Sequence, residues 1–357
     1  MSRVAEARSG SLCSLTATGG QSWRWKGKMT HPRPVLENRS YMITRRCAGR
    51  RFFLRPEEKV DQAFAYCFGV AVERYGLDVF WLSVMSNHHH DGVHDNDGNY
   101  PEFLRYFHSL LARCLNVHLS RWENFWSTEQ ASALLLGDAE AIFDKMVYSL
   151  TNPVKDHLVD RVFNWPGLNS LRYQLSGKPM VVKRPAWFFD KSGEMPDEVT
   201  LTFVRPPEFA HLSQQEWADK LRAAVAAAEQ KAAAERKATG RKVLGRKAIL
   251  RQSPYSCPKS CSPRRRLRPR VASPNKWRRI EMLQADQAFI RRYKECLDAR
   301  RGGASELDVV FPLGTYKLRL LGLVRCEAPP KSDPAPSLPG LARCEAAPER
   351  EQAPALE

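Results

Sequence analysis

The chain has 357 residues, of which 43% are hydrophobic, and carries 56 Lys and Arg against 39 Asp and Glu, a net charge of +17. That length suits two domains or one elaborated domain with tails, and the charge points to a polyanionic partner such as nucleic acid. No run reaches the ~18 consecutive apolar residues of a membrane span, no signal-peptide core stands in the first 28 residues, and nine cysteines, mostly scattered, argue against a disulfide framework. A membrane or secreted protein is not expected, and a reducing, cytoplasmic compartment is.

Residues 1–28 are rich in Ser, Gly and Arg without apolar periodicity and are expected to form a disordered extension; a second Met at 29 opens a domain expected to span 29–165. Ser40–Cys47 has the β-branched and aromatic content of a strand. Acidic residues after Pro56 begin a helix whose Val60, Phe64, Cys67, Phe68 and Ala71 recur at helical spacing until Gly76. Asp78–Met85 is a continuous apolar run of strand length, expected to extend through His90. Turn residues 95–99 precede a second amphipathic helix over Pro101–Leu119. Phe125–Trp126 and Ala133–Leu136 suggest a further strand or pair, and Asp138 suits the N-cap of a helix running through Tyr148 towards Pro153. Strands and helices in this order predict an α+β fold, helices packed on one sheet.

After residue 165 the texture changes. Pro179–Pro206 holds two possible short strands, and Gln214–Lys237 has strong helix propensity. Between Asp219 and Arg279 there are 19 basic and 3 acidic residues, whereas Met29–Trp165 holds 15 basic and 17 acidic. Nearly all the excess charge lies in one segment, so 166–328 is expected to be a basic DNA-binding region. The last 29 residues hold 7 of the 24 prolines and are expected to be a disordered tail.

His88 and His90 are spaced i, i+2. On a strand both imidazoles project to one face and can reach one divalent metal ion; the bland alternative is an exposed histidine turn. Tyr148 and Asn152 are spaced i, i+4, so on a helix the phenol and the amide share a face. There the tyrosine could attack phosphorus while Asn152 adds an oxygen ligand; the bland alternative is a half-buried core tyrosine with Asn152 capping the helix before Pro153.

The strings Val84-Met85-Ser86-Asn87-His88-His89-His90 and Tyr148-Ser149-Leu150-Thr151-Asn152-Pro153-Val154-Lys155 together resemble the single-tyrosine HUH transposases, and most closely the REP-associated tyrosine transposases. The resemblance covers about Met29 to Val162, with Tyr41–Arg46 where that family has its first strand. It implies a ferredoxin-like or RRM-like antiparallel sheet and an endonuclease and strand transferase acting on single-stranded DNA, at a hairpin-bearing repeat. It further implies Mg²⁺ or Mn²⁺ held by His88 and His90, Tyr148 as the nucleophile that becomes linked to a 5′ phosphate, and Asn152 as third ligand. Monomer and homodimer are both compatible with it. Two places depart from the family's pattern. His89 stands where an apolar residue is usual, and Asp91-Gly92 interrupts the apolar strand. Asp91, His94 and His157 are alternative third ligands.

Arg264, Arg265, Arg266, Arg268, Arg270, Lys276, Trp277, Arg278 and Arg279 mix cations with an aromatic ring, which suits backbone neutralisation with base stacking; a solvated basic linker is the alternative. Arg45, Arg46, Arg50, Arg51 and Arg55, with no acid between Arg39 and Pro56, suggest a second phosphate-binding patch. Cys257 and Cys261 lack a second ligand pair, so no zinc site is expected. Two rival functions remain at this stage. One is a non-catalytic nucleic-acid-binding protein of the same fold. The other is a metal-dependent hydrolytic nuclease in which Tyr148 is structural.

Overall fold

Two central strands carry the architecture. β1 (Arg39–Arg46) leads into α1 (Glu58–Tyr75), then β2 (Asp78–Met85), β3 (His88–Asp95), α2 (Tyr100–His118) and β4 (Ser132–Leu136). β1 pairs antiparallel with both β3 and β4, and β2 pairs antiparallel with β3, so the order is β2-β3-β1-β4. This βαββαβ succession is the ferredoxin-like arrangement. The computed structural model describes residues 32–259, 269–305, 308–316 and 322–328, and those from Arg33 onward form one compact unit. The expected N-terminal extension 1–28, the tail 329–357 and Arg264, Arg265, Arg266 and Arg268 lie outside the described residues.

β2 reads as an unbroken apolar run because both faces of the sheet are covered; every residue from Val79 to Met85 is buried. On one face α1 and α2 interleave Phe64, Phe68, Phe103 and Phe107, with ring centroids 5.2–6.3 Å apart. Gly76 ends α1 in the left-handed region at φ +63°, where a side chain would be strained. The opposite face is covered by α3 (Ala139–Leu150), whose first turn is held by the Asp138 carboxylate accepting from Ala141 N at 2.7 Å. A short α4 (Asn152–Lys155) follows.

The chain beyond residue 165 packs back on this sheet. α5 (Leu171–Ser176) lies against α6 (Gln214–Thr239), which starts in a reciprocal Ser213–Glu216 capping box and inserts Trp217, Leu221 and Val225 under α3. Between them the hairpin of β5 (Met180–Lys183) and β6 (Glu198–Leu201) covers α1. After α7 (Arg246–Arg251), β7 (Val271–Ala272) adds a fifth strand, parallel to β4, and α8 (Lys276–Arg301) follows. Among the described residues no helix is long and apolar enough to cross a membrane.

Two local expectations are corrected. The apolar strand does not run through His90: it stops at Met85, reverses over Ser86-Asn87, and His88 opens the next strand of a two-residue hairpin. The helix carrying Tyr148 does not reach Asn152: it ends at Leu150, and Thr151 separates it from α4. Proline supplies the reason, since Pro153 has no amide hydrogen to continue a helix ladder and fits the first turn of a new one.

Gly92 is explained by packing. The indole of Trp81 lies across it, and a Cβ at this position would stand 2.1 Å from a ring carbon. Gly92→Ala is therefore expected to destabilise the chain by about 1–3 kcal/mol through overpacking, read as a lower midpoint in thermal unfolding; an unchanged midpoint would reject this account.

Candidate active site at the β2–β3 hairpin

His88 and His90 project from β3 onto the α3 face of the sheet, with ring centroids 4.8 Å apart. Each has its Nδ1 satisfied by a neighbour. His90 Nδ1 lies 2.7 Å from Thr44 Oγ1, its cross-strand partner on β1, and His88 Nδ1 lies 2.7 Å from Asn87 Oδ1. A carbonyl oxygen only accepts, so His88 carries its proton on Nδ1 and leaves the Nε2 lone pair outward. Asn87 is itself clamped: its Nδ2 donates to the Arg50 carbonyl at 3.1 Å, and its own carbonyl accepts from Cys47 N at 2.8 Å.

Both imidazoles are held neutral. Burial is the main cause for each. For His88 the neighbouring His90 and then Arg46 add to it; for His90, pushed down to about 3, His89 and Arg46 do. A neutral imidazole with a free Nε2 and an oriented Nδ1 is the form that binds a divalent cation. Asn152 brings its side-chain amide to 3.5 Å from His88 Nε2, and a half-turn of that amide presents Oδ1 instead. The break after Leu150 thus keeps Asn152 at the site by a different route from the shared helical face expected of it. Among the described residues no three His, Cys, Asp or Glu side chains gather as metal ligands, so an oxygen from Asn152 or water would complete the pair.

Tyr148 stands over this cluster, its ring centroid 6.0 Å from that of His90 and its side chain 38% exposed. Lys155 Nζ sits 4.3 Å from the ring centroid and Lys145 Nζ 5.8 Å. Its phenol is shifted upward, first by burial and then by the negative charge of Asp156, with Arg46 opposing. Asp156 is raised as well by burial, while Lys155, His157 and Arg46 hold it down. The charge of Arg46, one of the cations expected to form a phosphate-binding patch on this domain, reaches both imidazoles, Tyr148 and Asp156. Thr44 and Asp156 were not singled out from the sequence, and Asn87 and Lys155 stood in the motif strings without a role. The i, i+4 spacing of Asn152 and Asp156 was a signal for Asp156, whereas Thr44 is found only through cross-strand register.

The alternative ligands are not brought in. Asp91 lies on the other face of β3 with His89, as strand alternation requires. There His89 is fully buried against Phe64, Phe107 and Trp126, with Nδ1 2.8 Å from Asp91 Oδ2 and Nε2 3.1 Å from His108 Nε2. His94 bonds Ser40 Oγ at 3.0 Å, and His157 faces Glu235 at 3.8 Å. Arg45 also departs from expectation. It turns into the α1/α2 layer, where its guanidinium meets His108 Nδ1 at 3.0 Å and lies over the Trp126 ring, because strand alternation sends it opposite to Arg46.

Several of the other proposed DNA contacts are engaged within the chain. Arg50 Nε is buried; Arg51 Nη1 donates to the Tyr255 carbonyl. Arg270 pairs with Asp286 at 2.5 Å, Arg278 with Glu281 at 2.8 Å, and Arg279 donates to the Ser273 carbonyl at 2.8 Å. Lys276 lies over Trp277, which is 75% exposed.

No family model and no curated protein matches the chain. Among solved structures it is similar to a REP-associated tyrosine transposase bound to a REP hairpin, at 14% identity and a TM-score of 0.36, over 47% of this chain and 94% of that one. It is also similar to a Deinococcus radiodurans R1 protein described provisionally as a transposase, at 19% identity and a TM-score of 0.25, over 30% of this chain and 85% of that one.

Proposed function

We propose that the chain is a transposase-type enzyme that cleaves and rejoins single-stranded DNA, probed best on a hairpin-bearing repeat. One observation carries the reading: two neutral imidazoles, each oriented through Nδ1, and the amide of Asn152 gather beneath a tyrosine at one end of a ferredoxin-like sheet. His88, His90 and Asn152 would hold Mn²⁺ or Mg²⁺, the amide oxygen and water supplying the oxygen ligands these ions prefer and the two imidazoles the nitrogen ligands that a borderline cation accepts more readily than a hard one. When bound, such a cation would stabilise negative charge developing on the scissile phosphate.

The chain's own residues do the rest. Tyr148 Oη attacks phosphorus and forms a phosphotyrosine bond to the 5′ side, the P–O3′ bond breaks, and a 3′-hydroxyl is released after taking up a proton. The phenol proton would pass to water or to Asp156, the carboxylate whose charge acts on Tyr148. Lys155, Lys145 and Arg46 stand where they can bind the phosphate oxygens. Rejoining is the reverse attack by a 3′-hydroxyl on the phosphotyrosine.

The test is incubation of the full chain and Mn²⁺ or Mg²⁺ with end-labelled single-stranded hairpin oligonucleotides, followed by denaturing electrophoresis. A metal-dependent protein–DNA adduct is expected. Cleavage with no adduct would replace this reading with hydrolysis, and binding with neither would leave a non-catalytic DNA-binding protein.

A further inference from the structure

We propose that the groove between residues 48–53 and 121–128 binds an unpaired DNA strand, with Trp122 stacking on one of its bases. The inference rests on the strand-cleaving reading and specifies where the substrate runs beyond the catalytic centre.

The groove has a volume of about 650 Å³, and its walls include Gly49, Arg51, Phe53, Arg121, Trp122 and Trp126. Trp122 is 91% exposed, more than any other large hydrophobic side chain among the described residues. Chains bury most of each tryptophan because its apolar area is large, so one held almost wholly in water at the lip of a groove points to a partner that covers it. The groove's chemistry says which. Arg121 lies with its guanidinium 3.8 Å from the Phe53 ring centroid, and Arg51 stands on the opposite wall. A single carboxylate, Glu123, lines the groove, 3.6 Å from Arg121 and with its side chain 78% exposed. The Arg121 side chain, only 11% exposed, braces the wall, which leaves Arg51 beside the exposed Trp122 face; a cation next to a free aromatic face suits a strand whose phosphates need neutralising and whose bases are free to stack, whereas paired bases offer no free face.

The position of the groove fits that occupant. Both walls grow from the end of β1 that carries the active site. Cys47 bridges to Trp126, Ala48 N donates to the Phe125 carbonyl at 2.9 Å, and Ser127 N donates to the Arg46 carbonyl at 2.9 Å. Arg46 is the cross-strand partner of His88, and the Arg50 carbonyl holds Asn87, which orients His88. The groove opens at the same end of the sheet as Tyr148 but on its α1/α2 face, to which Phe53 and Trp126 belong, so a strand cut at Tyr148 would reach it by passing around that end.

The experiment uses the full chain carrying Tyr148→Phe, in EDTA, so that binding is read without turnover. Fluorescence anisotropy gives Kd for a DNA hairpin bearing a 5′ or a 3′ single-stranded tail, and for the same hairpin with a blunt end. Adding Trp122→Ala is expected to raise Kd for one tailed hairpin about tenfold, as loss of one base stack does, to leave the blunt hairpin unchanged, and to be largely rescued by Trp122→Phe. Equal Kd for tailed DNA with and without the substitution, an equal loss on blunt and tailed DNA, or no binding by the parent chain would each overturn the proposal. Failure of the adduct assay would be a separate result, since this measurement needs no cleavage.

Discussion

Replacing Tyr148 with Phe is expected to abolish the covalent protein–DNA adduct while hairpin binding stays within about twofold, because the change removes one oxygen and keeps the ring that packs beside His90 and Lys155. Denaturing electrophoresis of labelled DNA measures the first quantity and anisotropy the second. The expected loss is complete: no other tyrosine stands beside the histidine pair among the described residues. Persistence of the adduct would reassign the nucleophile. Continued cleavage without an adduct would instead make Tyr148 a structural residue above an activated water.

Removing both imidazoles, in His88→Ala with His90→Ala, is expected to eliminate metal-dependent cleavage and the binding of Mn²⁺ itself. Calorimetric titration of the unsubstituted chain should show a Mn²⁺ site that the double variant lacks. A second readout is independent of DNA: Mn²⁺ at about a hundred times its Kd should stabilise the unsubstituted fold by ~2.7 kcal/mol and the variant by nothing. Folding should survive the change, because both rings lie on the α3 face at the end of the sheet while the aromatic core of α1 and α2 lies on the other. Mn²⁺ binding of equal strength in both proteins would reject the histidines as ligands.

Both expectations depend on strand alternation. His88 and His90 share a face, so the chemistry gathers there, and the intervening His89 is sent to the opposite face with Asp91. The apparent irregularity of a third histidine in the motif resolves into a buried chain in which Arg45 meets His108, His108 meets His89 and His89 meets Asp91. A histidine buried alone would be costly; the Asp91 carboxylate 2.8 Å from Nδ1 and the His108 ring nitrogen 3.1 Å from Nε2 offset part of that cost.

Short-range patterns were enough for several elements. The apolar run Asp78–Met85 is β2 residue for residue, Asp138 caps α3, and Gln214 opens α6, because each signal is local: side-chain burial on both faces, a carboxylate reaching a nearby amide, a long run of helix-forming residues. The same-face geometry of the His-x-His pair was equally legible, since a strand's period of two needs no knowledge of its neighbours. What pairing and packing decided was everything that depends on residues distant in the chain. The reversal at Ser86-Asn87 is stabilised by Cys47, Arg50 and Leu54 from another segment. Thr44 reaches His90 only because β1 and β3 pair in one register. Asn152 returns to His88 after its helix has ended, and Arg45 is consumed by His108 and Trp126 while Arg46, one residue away, faces the site. Local propensity acts over a few residues, but a catalytic site is a meeting of side chains up to about a hundred positions apart, and only the burial of the sheet's two faces selects which of them meet.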